Sequence, residues 1–195
     1  MRSPIVIWLP LLFGFALNSA STFTAAFSRR WGERPGQWIS LGLRVGLGMP
    51  LWILGVVAAM RAPGPRLLPA QPAVPVLGWL LIGCGAAVIL WALPAVGRRA
   101  LAPSAGDTLV ATGPYVYVRH PVYSGGLLEF AGLAVVHPTA SFALVCAACC
   151  VWLLVQARLE ERDLLQRLPE YAAYMRRVPR FVPRVSSGSG SPKAD

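Results

Sequence analysis

The residues of this chain best placed to do chemistry fall in two short stretches. The first is GPYVYVRHPVYSGG, residues 113–126. Pro121 suits the first turn of a helix, where its missing N–H is no loss, so a helix is expected to start there. Arg119 and His120 then stand at the positive end of that helix, where like charge does not help it. Their presence makes sense if something anionic is bound between them. Backbone N–H groups, Arg119 and Tyr123 could together hold a carboxylate or phosphate. The plainer alternative is an arginine snorkelling to lipid headgroups with a histidine as boundary residue. The second stretch places Glu160 and Glu161 just after Arg158. A carboxylate there could bind an amino group, a ribose hydroxyl or a sulfonium-bearing ligand. Alternatively the pair is a solvated helix face, bracketed by Arg158 and Arg162 at i,i+4 spacing.

The elements that must carry these residues are apolar. Hydrophobic residues make up 55% of the 195-residue chain and charged ones only 13%, with a mean hydropathy of +0.56. Soluble domains carry about 25% charged residues, too many for this chain to match. Runs at 5–27, 38–60, 75–96 and 139–157 are each roughly 20 residues, enough to span a bilayer core. A shorter run, 122–136, ends at His137-Pro138, so it and the run after it are expected to form a helical hairpin. The expected fold is therefore an all-α integral membrane protein of about five transmembrane helices. Residues 1–185 form one membrane-embedded domain, 186–195 a disordered tail of linker composition. The first run reads as a retained helix rather than a cleaved leader.

The net charge of +10 has a lopsided placement. With five spans, Arg29, Arg30, Arg34, Arg98, Arg99, Arg119, Arg158, Arg162, Arg167, Arg176, Arg177, Arg180, Arg184 and Lys193 share one side, against Arg2, Arg61 and Arg66 on the other. By the positive-inside rule the N-terminus is outside, while the Arg-His-Pro loop and the C-terminus are cytoplasmic. The basic excess orients the chain and touches anionic membrane lipids; it does not indicate nucleic acid. Cys84, Cys146, Cys149 and Cys150 all fall within apolar runs, as small hydrophobes rather than metal ligands. Gly42 and Gly46, and Gly78, Gly83 and Gly85, have the spacing that lets helices approach closely.

The motif at 113–126, a hairpin of apolar runs, then RLEERDLL and EYAAYMRRVPRFVP, taken together and in order, resemble the isoprenylcysteine carboxyl methyltransferase family and its phospholipid methyltransferase relatives. The resemblance covers roughly residues 98–183. It implies a membrane enzyme using S-adenosylmethionine, held in a cytoplasmic pocket built from the 97–121 loop and the C-terminal tail. Carried over by motif, Thr108, Leu109, Gly113, Tyr115, Val118, Arg119, His120, Pro121, Tyr123 and Glu160 belong to the cofactor pocket. Arg158 takes the substrate-carboxylate contact and Glu161 a catalytic place, although the choice between Glu160 and Glu161 stays open. Leu168-Pro169 stands where the family often has Phe-Gly, one residue shorter, which leaves the docking of the tail open as well. The implied partner is a lipophilic, isoprenylcysteine-like acceptor in the membrane, with no metal.

This chemistry asks little of the residues. No dinucleotide fingerprint of the G-x-G-x-x-G type follows a strand here. Methyl transfer from a sulfonium to a carboxylate, ionised at neutral pH, needs positioning and partial desolvation rather than a base. Three other readings compete: a phospholipid N-methyltransferase, an NADPH-dependent sterol-reductase-like enzyme with a similar Arg-His-Pro-x-Tyr corner, and a membrane scaffold or transporter subunit without activity. Two charges inside the apolar runs, Arg44 and Glu129, are expected at a common depth, either paired with each other or at the mouth of an acceptor tunnel; the plainer alternative is Arg44 snorkelling to headgroups with Glu129 protonated against a backbone carbonyl.

Overall fold

A computed structural model describes residues 4–97 and 107–184. Arg98, Arg99, part of the expected cytoplasmic loop, and the expected tail at 186–195 lie outside the described residues. Within them the chain is helical throughout, with a single isolated bridge between Arg66 and Thr139. The elements are α1 (Ile5–Ala20), α2 (Thr24–Trp31), α3 (Glu33–Met60), α4 (Ala73–Val96), α5 (Pro121–Val136), α6 (Ala140–Arg167) and α7 (Tyr171–Arg177), with a 3-10 turn at Gly113–Val116.

Five spans were expected from the apolar runs. Among the described residues, α3, α4 and α6 are long and apolar enough to cross a membrane, at 28, 24 and 28 residues. The run at 5–27 is not one rod: α1 and α2 meet at a bend of 63°, and together they make a fourth candidate span. α5 is apolar but only 16 residues long, about 24 Å at 1.5 Å per residue and so shorter than a bilayer core.

Helix α3 carries its own irregularity. Pro50 cannot donate to Gly46 and its ring crowds the carbonyl there, so the preceding turn must adjust. The backbone widens into a π-helical segment over Gly42–Gly48, just before it. An added Cβ at Gly42, Gly46 or Gly83 would meet nothing within 4 Å, so the expected small-residue contact does not involve them.

The small-residue seam runs between α4 and α5, the most extensive helix pair among the described residues, and takes in Gly78 and Gly85 of the expected set. An added Cβ on Gly85 would stand 2.5 Å from the Gly125 carbonyl oxygen, and one on Gly132 would stand 2.5 Å from that of Gly78. Such backbone approach tolerates no side chain, which fixes α5 and the motif at its start. A buried cluster of Leu11, Ala59, Phe130, Phe142, Val145, Cys149 and Leu153 joins α1, α3, α5 and α6. At the far end from the motif, the loop after α3 is tied to the α5–α6 turn by Leu67 N–H to Pro138 O (2.7 Å) and Ala140 N–H to Pro65 O (2.9 Å).

Candidate active site

His120 is the residue before the first turn of α5 and Pro121 begins the helix, as the motif predicts. The C-terminal tail closes on that corner. The Arg119 and His120 N–H groups donate to the carbonyls of Pro179 (2.9 Å) and Arg180 (3.1 Å). The Arg119 guanidinium donates to the carbonyls of Met175 (2.9 Å) and Val178 (2.6 Å), and Ser124 Oγ donates to Phe181 O (2.8 Å). Gly113 enters the preceding 3-10 turn at φ +57°, a left-handed conformation suited to glycine. Behind that turn Tyr174 donates to Tyr115 O at 2.6 Å, and burial pushes the Tyr174 hydroxyl up to about 12. α7 thus docks through Tyr171 and Tyr174, which cluster with Leu168 against Leu109 and Leu164. α6 ends at Arg167, just before Leu168-Pro169.

The two glutamates, both past the apolar run of α6, take different surroundings. Glu161 is 3% exposed and lies within 3.1 Å of His120 Nε2, 2.9 Å of Arg119 and 2.6 Å of Arg180. Burial alone would raise its carboxyl, but hydrogen bonds from His120, Arg180 and Arg119 outweigh it and hold the group well below the usual carboxylate range. Glu160, one residue earlier, turns to an open space. It accepts from Tyr123 Oη at 2.6 Å, stands 3.6 Å from the Arg44 guanidinium, and lies 3.9 Å from His120 Nδ1. The His120 ring stacks on Tyr123 with centroids 5.4 Å apart and planes 4° from parallel.

That open space is a cavity of about 340 Å³, within the range typical of small-molecule and cofactor sites. One wall brings together Thr108, Leu109, Tyr115, Arg119, His120, Tyr123 and Glu160 from the set expected by motif. Gly113, Val118 and Pro121 are adjacent in the chain but do not line it. Glu161 lies behind the wall, and Arg158 is exposed on α6, outside the cavity. Tyr171, Tyr174, Leu164 and Leu168 close the tail side.

The rest of the lining comes from residues that no motif marks. Asn18, Thr22 and Thr24 of the bend, Arg44 and Met49 of α3, and Trp152 and Gln156 of α6 complete the enclosure. Arg44 does not pair with Glu129: besides its approach to Glu160, its Nε donates to Ser21 Oγ at 3.0 Å. Asn18 is 4% exposed and Gln156 2% exposed, and Gln156 Nε2 donates to Asn18 O at 3.3 Å. Asp163 reaches across to the start of α2, where it accepts from Ala25 N–H at 2.9 Å and from Arg167 at 2.6 Å. The only sequence signal for this wall was polar residues within apolar runs. Among the described residues no group of three potential metal ligands is present.

A helical chain whose apolar helices fit a multi-pass membrane protein, with a largely apolar cavity bordered by a few charged side chains at the start of a short helix, defines the class. Residues 74–171 match the family model described as phospholipid methyltransferase, and the chain belongs to that family. It is 37% identical over 118 residues to the cobalt-zinc-cadmium resistance protein CzcN of Cupriavidus metallidurans, covering 60% of this chain and 52% of that protein. It is 35% identical over 79 residues to the nickel-cobalt-cadmium resistance protein NccN of Alcaligenes xylosoxydans xylosoxydans, covering 40% of this chain and 37% of that protein. It is 35% identical over 89 residues to methanethiol S-methyltransferase 1 of Bradyrhizobium diazoefficiens, covering 45% and 29%. The chain thus spans about half or less of the length of these relatives. No solved structure matches it.

Proposed function

We propose that this chain is a membrane methyltransferase that uses S-adenosylmethionine and methylates the anionic end of a lipophilic acceptor. The family supplies the methyl-transfer reading; the chemistry of the cavity supports the cofactor. Glu160 offers a carboxylate for an ammonium or ribose hydroxyls, and the rings of Tyr115, Tyr123, Tyr171 and Tyr174 suit a sulfonium or a purine face. Leu109, Leu164 and Leu168 exclude water, and Thr108, Arg119 and His120 border the same space. Gly113, Val118 and Pro121 hold the backbone of that wall in place. When bound, the cofactor supplies an electrophilic methyl group. The residues need only orient an acceptor that is already ionised, because no proton has to leave it.

Arg29 and Arg30 of α2, Arg119 before α5, Arg162 of α6 and Arg176 and Arg177 of α7 lie on the elements that surround the cavity, and Arg61 and Arg66 lie in the loop after α3, at the far end from the motif. This distribution supports a cytoplasmic active site with the N-terminus outside. The short α5 is read as the remaining span, giving five in one domain over residues 1–185.

The observation that carries the proposal is the Glu160 carboxylate, bordering the cavity and anchored by Tyr123 at 2.6 Å. Titration calorimetry of the purified protein with S-adenosylmethionine and with NADPH tests it. S-adenosylmethionine is expected to bind, and Glu160→Gln to weaken it by about tenfold, roughly 1.4 kcal/mol. Binding of NADPH alone would transfer the site to the reductase reading. No binding of either would leave the scaffold reading.

A further inference from the structure

The wall contributed by α1 and α3 lies outside the family-matched stretch of 74–171, and it places one cation in the cavity. Arg44 is 9% exposed and sits about 9 Å along α3 from Trp38, where the apolar run begins. An arginine at such depth in an apolar helix is costly and marks a functional position. It falls within the π-helical segment Gly42–Gly48, a distortion that recurs at functional sites. Its Nε edge is fixed to α1 through Ser21 Oγ at 3.0 Å, and the Ser21 hydroxyl donates onward to Asn18 O at 2.6 Å. Its Nη2 faces Glu160 at 3.6 Å. Further along the same helix the lining turns apolar at Met49, and Trp152 of α6 lines the same cavity.

We infer that Arg44 is the residue that holds the acceptor, gripping a carboxylate oxygen or thiolate sulfur at the polar end of an apolar molecule. This rests on the methyltransferase reading above and assigns the acceptor end of that site. With Glu160 facing the cationic methyl donor and Arg44 facing the anion, two neighbouring opposite charges set the two reactants side by side. The acceptor anion gains the methyl group through its lone pair and becomes neutral. The bonding pair of the broken S–C bond stays on the donor sulfur, which becomes a neutral thioether, and no proton moves. Arg119 is engaged by Glu161 and two carbonyls of the tail clasp, and Arg158 points away from the cavity, so neither stands at this place.

The test compares binding of an ionised probe with its neutral methylated counterpart: N-acetyl-S-farnesylcysteine against its methyl ester, and thiophenol against thioanisole. Wild type is expected to prefer the ionised member of one pair by about tenfold; the pair that shows the preference identifies oxygen or sulfur. Arg44→Gln should abolish the preference and Arg44→Lys should keep most of it, with S-adenosylmethionine affinity within about threefold of wild type in both. No preference in wild type, or an intact preference in Arg44→Gln, would overturn the assignment. Loss of cofactor binding in both variants would also overturn it, since Arg44 would then be holding the cofactor pocket together. Anion preference in a wild type that binds no S-adenosylmethionine would keep the Arg44 site and remove the methyltransferase reading.

Discussion

Glu160 and Glu161 are neighbours in the chain and differ by about 100° around α6, and that rotation gives them different work. Glu161 is closed in by Arg119, His120 and Arg180 and fastens the tail to the start of α5. Glu160 is held from one side by Tyr123 and bordered by Arg44, and the rest of its surroundings is cavity. A buried carboxylate surrounded by cations is a structural clasp. A carboxylate that shares its lone pairs between one hydroxyl and an open pocket is available to a ligand. The first should therefore answer to stability measurements and the second to binding.

The largest effect is expected at the clasp. Glu161→Gln leaves Arg119 and Arg180 without their carboxylate, and breaking a buried pair in this way costs about 3–5 kcal/mol. Thermal unfolding in detergent should show the loss at neutral pH. Because the folded carboxyl is held below its usual range, its contribution is complete above about pH 4.3 and disappears as pH falls through the lower folded value. Wild type should therefore lose stability on acidification, and the Gln variant should start lower and respond less. Equal stability of the two proteins at neutral pH would erase the distinction between the glutamates.

A smaller effect is expected where the clasp and the cavity meet. Tyr123→Phe removes one hydrogen bond to a carboxylate, worth about 1.5–3 kcal/mol. Cofactor affinity measured by calorimetry should fall by about tenfold, with a change in melting temperature well below that of Glu161→Gln. A variant that lost stability but bound normally would place Tyr123 with the clasp.

The smallest effect is expected at Arg158, exposed and outside the cavity. Arg158→Ala should stay within about 0.5 kcal/mol in stability and leave the acceptor KM unchanged. A raised acceptor KM would return the carboxylate contact to Arg158, as the family resemblance implies, and take it from Arg44.

The membrane class, the start of α5 at Pro121 and most of the motif wall were legible in the sequence because each rests on local chemistry. Long apolar runs are satisfied in lipid as helices, and Pro121 ahead of an apolar run suits the first turn of a helix. Which glutamate faced the pocket was not legible, because adjacent helix positions are assigned to faces by packing alone. Arg44 was conspicuous as a charge in an apolar run, yet a depth estimate along straight helices paired it with Glu129. The bend between α1 and α2 and the π-helical turn before Pro50 bring it to Ser21 and Glu160 instead. The sequence by itself determined the apolar helices and the start of α5. Only the tertiary structure decided that residues from α1 and α3 would close the cavity opposite the motif, since no local preference records a contact between residues 44 and 160.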